Sequence, residues 1–154
     1  MDSPKLAQLA QIAQIVAAVA VVFSLIYVGY ELKENTSAVR AGSIQAITTG
    51  SREALLGLAL DAELARIVRI GSIDRSELTL DEQYRFGLFS RQRWLFFQGV
   101  WMQKRLDVVD EKTWMGYERI VCSILNSPGT REDWPYHKNV LDSEFVAHIE
   151  GCTD

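Results

Sequence analysis

From Leu6 to Tyr30 the chain runs 25 residues without a formal charge, and nothing else in the sequence resembles it. Its central part, Ile12 to Tyr30, reads IAQIVAAVAVVFSLIYVGY, with Gln14 and Ser24 as the only strongly polar side chains. A helix needs ~20 mostly apolar residues to cross a ~30 Å hydrocarbon layer. The segment therefore reads as one membrane span over residues 10–30. A cleaved signal peptide would have an apolar region of roughly 7–15 residues ending in small residues. Here the run is longer and closes on Tyr27-Val28-Gly29-Tyr30-Glu31-Leu32-Lys33, which favours a retained anchor.

Ser3 before Pro4 is a helix-start signal, a hydroxyl cap followed by a residue with its φ preset. Gln8, Gln11 and Gln14 follow at spacing three near the entry end, where they can bond water, headgroups or another helix. Ala10, Ala13, Ala17, Ala20 and Ser24 alternate spacings of three and four, which sets small side chains on one stripe. Such stripes let membrane helices approach closely, so these five residues are the candidate oligomer interface. Ile12, Ile15, Val19, Val22 and Ile26 suit lipid. Tyr27 and Tyr30 suit the headgroup level at the exit. Lys5 and the amino terminus precede the span, and Lys33, Arg40 and Arg52 follow it. By the positive-inside rule this bias leans towards a cytoplasmic carboxyl-terminal domain.

The 154 residues leave room for one domain beside the anchor. A net charge of −4 argues against a nucleic-acid partner, since phosphate binding rests on clustered Lys and Arg. Cys122 and Cys152 make no disulfide framework; they could pair, but two free thiols in a reducing compartment are the simpler reading.

No stop signal follows Tyr30, so the helix is expected to continue as a stalk over residues 31–60. Gly42, Gly50 and Gly57 weaken it by about 1 kcal/mol each. A break is expected near Thr48–Ser51, with Ser51 as a new cap. Asp61 then caps a helix that ends at Gly71, and Ser72 to Leu78 reads as a loop. Thr79 and Glu82 form a capping box that opens the longest helix, Leu80 to Leu106. That helix is apolar on two sides. Tyr84, Leu88, Leu95, Met102 and Leu106 make one face, and Phe86, Phe89, Trp94, Phe96, Phe97, Val100 and Trp101 fill another sector. A helix apolar all round is normally a buried central one. Its basic residues do not form one stripe, and Arg93 shares the phenylalanine sector, where it should stack or pair with a carboxylate. Asp110 caps a helix over Glu111–Leu125. Asn126-Ser127-Pro128-Gly129 reads as a turn, Thr130 with Asp133 as a short helix entry limited by Pro135, and Ser143 as the cap of a last helix. No strand signal stands out. The fold class is all-α: one span, a stalk, and a bundle of about four helices over residues 61–154.

Several short motifs support a family resemblance. Glu34-Asn35-Thr36 with Arg40, Asp61-Ala62-Glu63-Leu64-Ala65-Arg66-Ile67, Leu78-Thr79 with Glu82, and Pro128-Gly129 with Arg131 and Trp134 resemble an uncharacterised bacterial family of small proteins. Its members have one N-terminal transmembrane helix and a helical soluble domain. The resemblance implies a bacterial inner-membrane address and implies no reaction.

The sequence carries no phosphate loop, dinucleotide motif, paired-cysteine zinc motif or Ca²⁺ loop. Asp133/His137 and Glu144/His148 are i,i+4 pairs, but the Glu-x-x-His motifs of a di-metal bundle are missing. Cys122 lies on an apolar helix face, where a thiol is usually core rather than nucleophile. No catalytic residue, cofactor or metal is therefore expected. Arg131 and Trp134, after the Pro-Gly turn, are the candidate functional surface. The best reading is a membrane-anchored interaction module, self-associating or accessory to a membrane complex, with lipid as its first partner. A homo-oligomeric pore is the alternative, although the span offers no selectivity feature. An enzyme ranks third.

Overall fold

The structure is a computed structural model and describes residues 3–153, with side chains described for residue 9 and residues 11–152. Among the described residues it holds six α-helices, two short 3₁₀ turns and no strand. They are α1 (Ser3–Leu60), α2 (Ala62–Ile73), α3 (Leu80–Arg105), α4 (Glu111–Leu125), α5 (Pro128–Lys138) and α6 (Ser143–Glu150). The fold is all-α, with five helices after Leu60 rather than about four. Two compact units divide the chain, Met1–Ala41 and Gly42–Asp154.

α1 is helical from Ser3, so Ser3 is a helical residue and not its cap. The helix then runs through Thr48–Ser51 without the expected break. Thr48 donates its hydroxyl to the Ile44 carbonyl, 2.8 Å away, and stays helical. Tertiary packing explains the continuity. Ile47 is buried in the bundle core, and a Cβ at Gly50 would lie 3.5 Å from the Phe96 ring. Core burial of this kind exceeds the ~1 kcal/mol a helical glycine costs. Residues from Gly42 onward thus belong to the compact unit.

Asp61 caps α2 as expected, accepting from the Leu64 amide at 2.9 Å. Gly71, however, does not stop the helix, which continues to Ile73. Its role is close packing. A Cβ there would meet Phe86 at 2.7 Å and Leu78 at 2.9 Å. A Cβ on Gly129 would lie only 2.0 Å from the Gly71 carbonyl oxygen, so the backbones of α2 and α5 touch at this pair. Ser72 and Ile73 are helical, and Arg75–Glu77 forms a 3₁₀ turn inside the expected loop.

The Thr79/Glu82 capping box is present in full, with the Thr79 amide donating to Glu82 Oε2 at 2.8 Å. Asp110 caps α4 by accepting from the Thr113 amide at 2.8 Å. α5 starts two residues before Thr130, at Pro128, and absorbs Pro135 in its interior. α6 takes Asp142, not Ser143, as its cap; the carboxylate accepts from the amides of Glu144 and Phe145.

α3 packs against α2, α4 and α5. All four tryptophans are buried, and Trp94 meets Trp134 at a ring separation of 4.6 Å. The core takes the Phe86, Trp94, Phe97, Val100 and Trp101 sector of α3. The second apolar face of α3 is not buried. Tyr84, Leu88, Leu95, Met102 and Leu106 are all exposed, Leu88, Leu95 and Met102 to 47% each. The expectation of a helix covered on both sides is corrected there: the other helices cluster mainly on the aromatic side, and among the described residues α5 borders the heptad face at its Tyr84–Leu88 end without covering it.

Candidate functional site

Three places in the molecule carry residues that packing alone does not account for. The first is the apolar part of α1. Leu9, Ile12, Ile15, Val16, Val19, Val22, Phe23 and Ile26 are all exposed. α1 is the one helix, among the described residues, long and apolar enough to cross a membrane, and none of its most apolar window is buried. Ala13, Ala17, Ala20 and Ser24 are likewise exposed on α1, while the side chain of Ala10 lies outside the described residues.

The second is the exposed α3 face. The third is a cavity of about 270 Å³, open on one side to the surface of the Gly42–Asp154 unit and walled by the end of α1 with α2, α3 and α4. Its lining includes Leu55, Leu58, Phe96 and Ile124, with Ser51, Gln92, Arg93 and Tyr117 as the members that carry polar groups. Arg93 stacks as expected, its guanidinium carbon 5.6 Å from the Phe89 ring centre and 5.7 Å from that of Trp94. It has no salt bridge among the described residues, and its Nε and Nη2 are buried without a hydrogen-bond partner. Burial pulls its pKa down to about 10, against the opposing pull of the Asp133 carboxylate. The group remains a cation at neutral pH. The Ser51 hydroxyl is also buried and unbonded.

Asp133 makes no ion pair with Arg93, and each of its oxygens bonds another partner. Oδ1 accepts from Arg75 at 2.9 Å, and Oδ2 lies 2.6 Å from His137 Nε2. The i,i+4 spacing of Asp133 and His137 thus makes a buried pair. Glu144 and His148 separate instead: Glu144 pairs with Arg105 at 2.5 Å, and His148 with Glu118 at 2.6 Å.

Arg131 and Trp134 do not share a surface. Arg131 is exposed and donates to Asn126 Oδ1 at 2.6 Å. Trp134 is core, packed at a 59° tilt against Trp94, with its indole N–H donating to Glu150 Oε1 at 2.9 Å. Residues three apart sit on neighbouring sectors of a helix, and here Arg131 falls at the exposed edge while the bundle claims Trp134. Cys122 and Cys152 are joined in a disulfide, which corrects the free-thiol reading. The turn after α6 brings their Cα atoms within 5.5 Å. Sequence reasoning missed the α3 face as an open surface and missed Ser51 as a cavity residue. The heptad spacing of Leu88, Leu95 and Met102 was the available signal for the first.

The chain matches no family model, no curated protein and no solved structure.

Proposed function

We propose that this protein is a membrane-anchored interaction module. The carrying observation is the α3 face, where Leu88, Leu95 and Met102 recur every seven residues and stay exposed on a helix whose other side is core. Large apolar side chains aligned along one exposed helix face suit contact with another helix, although only one position of each heptad is apolar on that face, as against the two of a full coiled-coil seam. Large exposed apolar side chains grouped on one face mark interaction sites. The exposed apolar run of α1 supports a lipid partner, because water does not tolerate a run of large apolar side chains that the protein leaves uncovered. The alanine and serine stripe supports contact between spans. The partner considered first is a second copy of this chain.

Orientation draws on two opposing observations. Flanking charges favour the cytoplasmic side for the carboxyl-terminal domain, while the Cys122–Cys152 bond favours an oxidising compartment. We adopt the oxidising side, because a bias of one or two charges is a weak constraint and reducing compartments keep thiols free.

Native mass spectrometry of the full chain released from detergent tests the reading. The expected result is an oligomer that falls to monomer in a Leu88→Glu, Leu95→Glu double variant with unchanged helicity. An oligomer indifferent to that change, and to Ala17→Leu in the span, overturns it.

A further inference from the structure

The cavity of the compact unit combines two features that rarely meet. Its walls are apolar, and its lining carries a cation whose donors are unused. Unsatisfied buried donors are uncommon in native proteins, and each one asks for a partner. For a charged group the cost of leaving it unmade is high. Arg93 Nε and Nη2 and Ser51 Oγ are three such groups, carried by two residues of one cavity lining. Asp133, the carboxylate that acts on Arg93 electrostatically, spends its oxygens on Arg75 and His137. What fits is therefore an anion brought by an apolar body.

We propose that this cavity binds a free medium-chain fatty acid, with the alkyl chain against Leu55, Leu58, Phe96 and Ile124 and the carboxylate accepting hydrogen bonds from Arg93 and Ser51. Guanidinium presents paired N–H groups that match the two oxygens of a carboxylate. The pocket opens to the surface, so its volume of about 270 Å³ sets room for a single alkyl chain and leaves the far end of that chain free to extend outward. The inference does not rest on the membrane reading or on the partner helix, because every lining residue belongs to the compact unit.

The test uses the full chain in lipid nanodiscs with decanoate labelled with ¹³C at the carboxyl. Empty nanodiscs give the partitioning background. The expected result is a saturable protein-bound resonance. Its titration midpoint falls below that of free decanoate, since an adjacent cation favours the carboxylate. Arg93→Met weakens binding at least tenfold, and 1-decanol competes at least tenfold more weakly than decanoate. Ala54→Phe, which fills the cavity without touching the charge, abolishes the bound signal. Near-ultraviolet circular dichroism reports whether each variant keeps its tertiary packing; should Arg93→Met lose it, the titration midpoint and Ala54→Phe decide. The proposal is overturned by the absence of a saturable signal, by a midpoint above that of free decanoate, or by a folded Arg93→Met that binds as the parent does.

Discussion

Arg93 shows how a single side chain can work against the fold that holds it. Its guanidinium rests between aromatic rings in an apolar cavity, with no carboxylate in bonding reach. Replacing buried ionic groups with apolar ones of similar volume is neutral or stabilising, by up to about 1–4 kcal/mol for whole ion pairs. Arg93→Met is accordingly expected to raise the midpoint of denaturant unfolding in the absence of added fatty acid. Glycine 129 gives the opposite case. Any side chain there would strike the Gly71 carbonyl oxygen, and a backbone atom cannot swing aside. Gly129→Ala should cost at least about 3 kcal/mol, beyond ordinary overpacking, readable as a loss of thermal stability. The sequence marked Arg93 as anomalous, since a cation stood among phenylalanines. It did not reveal Gly129, because the need for that glycine comes from Gly71, fifty-eight positions away in the chain and in contact only after folding.

Helices were legible where their determinants are local. Asp61, Thr79 with Glu82, and Asp110 cap the helices they were expected to cap, because a cap reads only the next three or four residues. Helix ends decided by distant packing were not legible. α1 passes its glycines because Ile47 and Gly50 lie against the bundle, and α2 passes Gly71 because α5 needs room there. The open face of α3 belongs to the same class: periodicity shows that a face is apolar, not whether anything covers it. Glu82 gives this scale its pH signature. The Thr79 amide, then Arg66 and the Thr79 hydroxyl, hold its carboxyl down to about 2, against a usual value of 4.5. A carboxyl with a lowered folded pKa contributes fully above its unfolded value and loses that contribution as pH falls through the folded one. Glu82→Gln should therefore flatten the stability-versus-pH curve between about 4.5 and 2, measured by thermal unfolding across that range.

For the whole molecule, the deciding features are a covalent link and an uncovered surface. The Cys122–Cys152 bond closes a separation of 30 residues between α4 and the end of the chain. A loop of that length is worth about 3–4 kcal/mol through the unfolded chain. Cys122→Ser should lower stability by that order under oxidising conditions and have little effect in excess reductant. The bond also makes orientation measurable. On the oxidising side, a thiol reagent added to whole cells finds no free cysteine until a reductant is supplied. In a reducing compartment both thiols react once the membrane is opened. The fold class was legible because every segment lacked strand signals. The disulfide was not, since two cysteines pair only where the fold places them, and that placement depends on α6 returning to α4.

That return has a kinetic meaning. α6 is eight residues long, too short to persist in water by itself. Phe145 and Ile149 attach it to the core, and Cys152 bolts down its far end. With the bolt removed, the last helix becomes the segment most prone to peel away. Its amides would exchange with deuterium first, and Trp134 and Trp101 behind it would then be open to a protease while the rest of the bundle stayed folded.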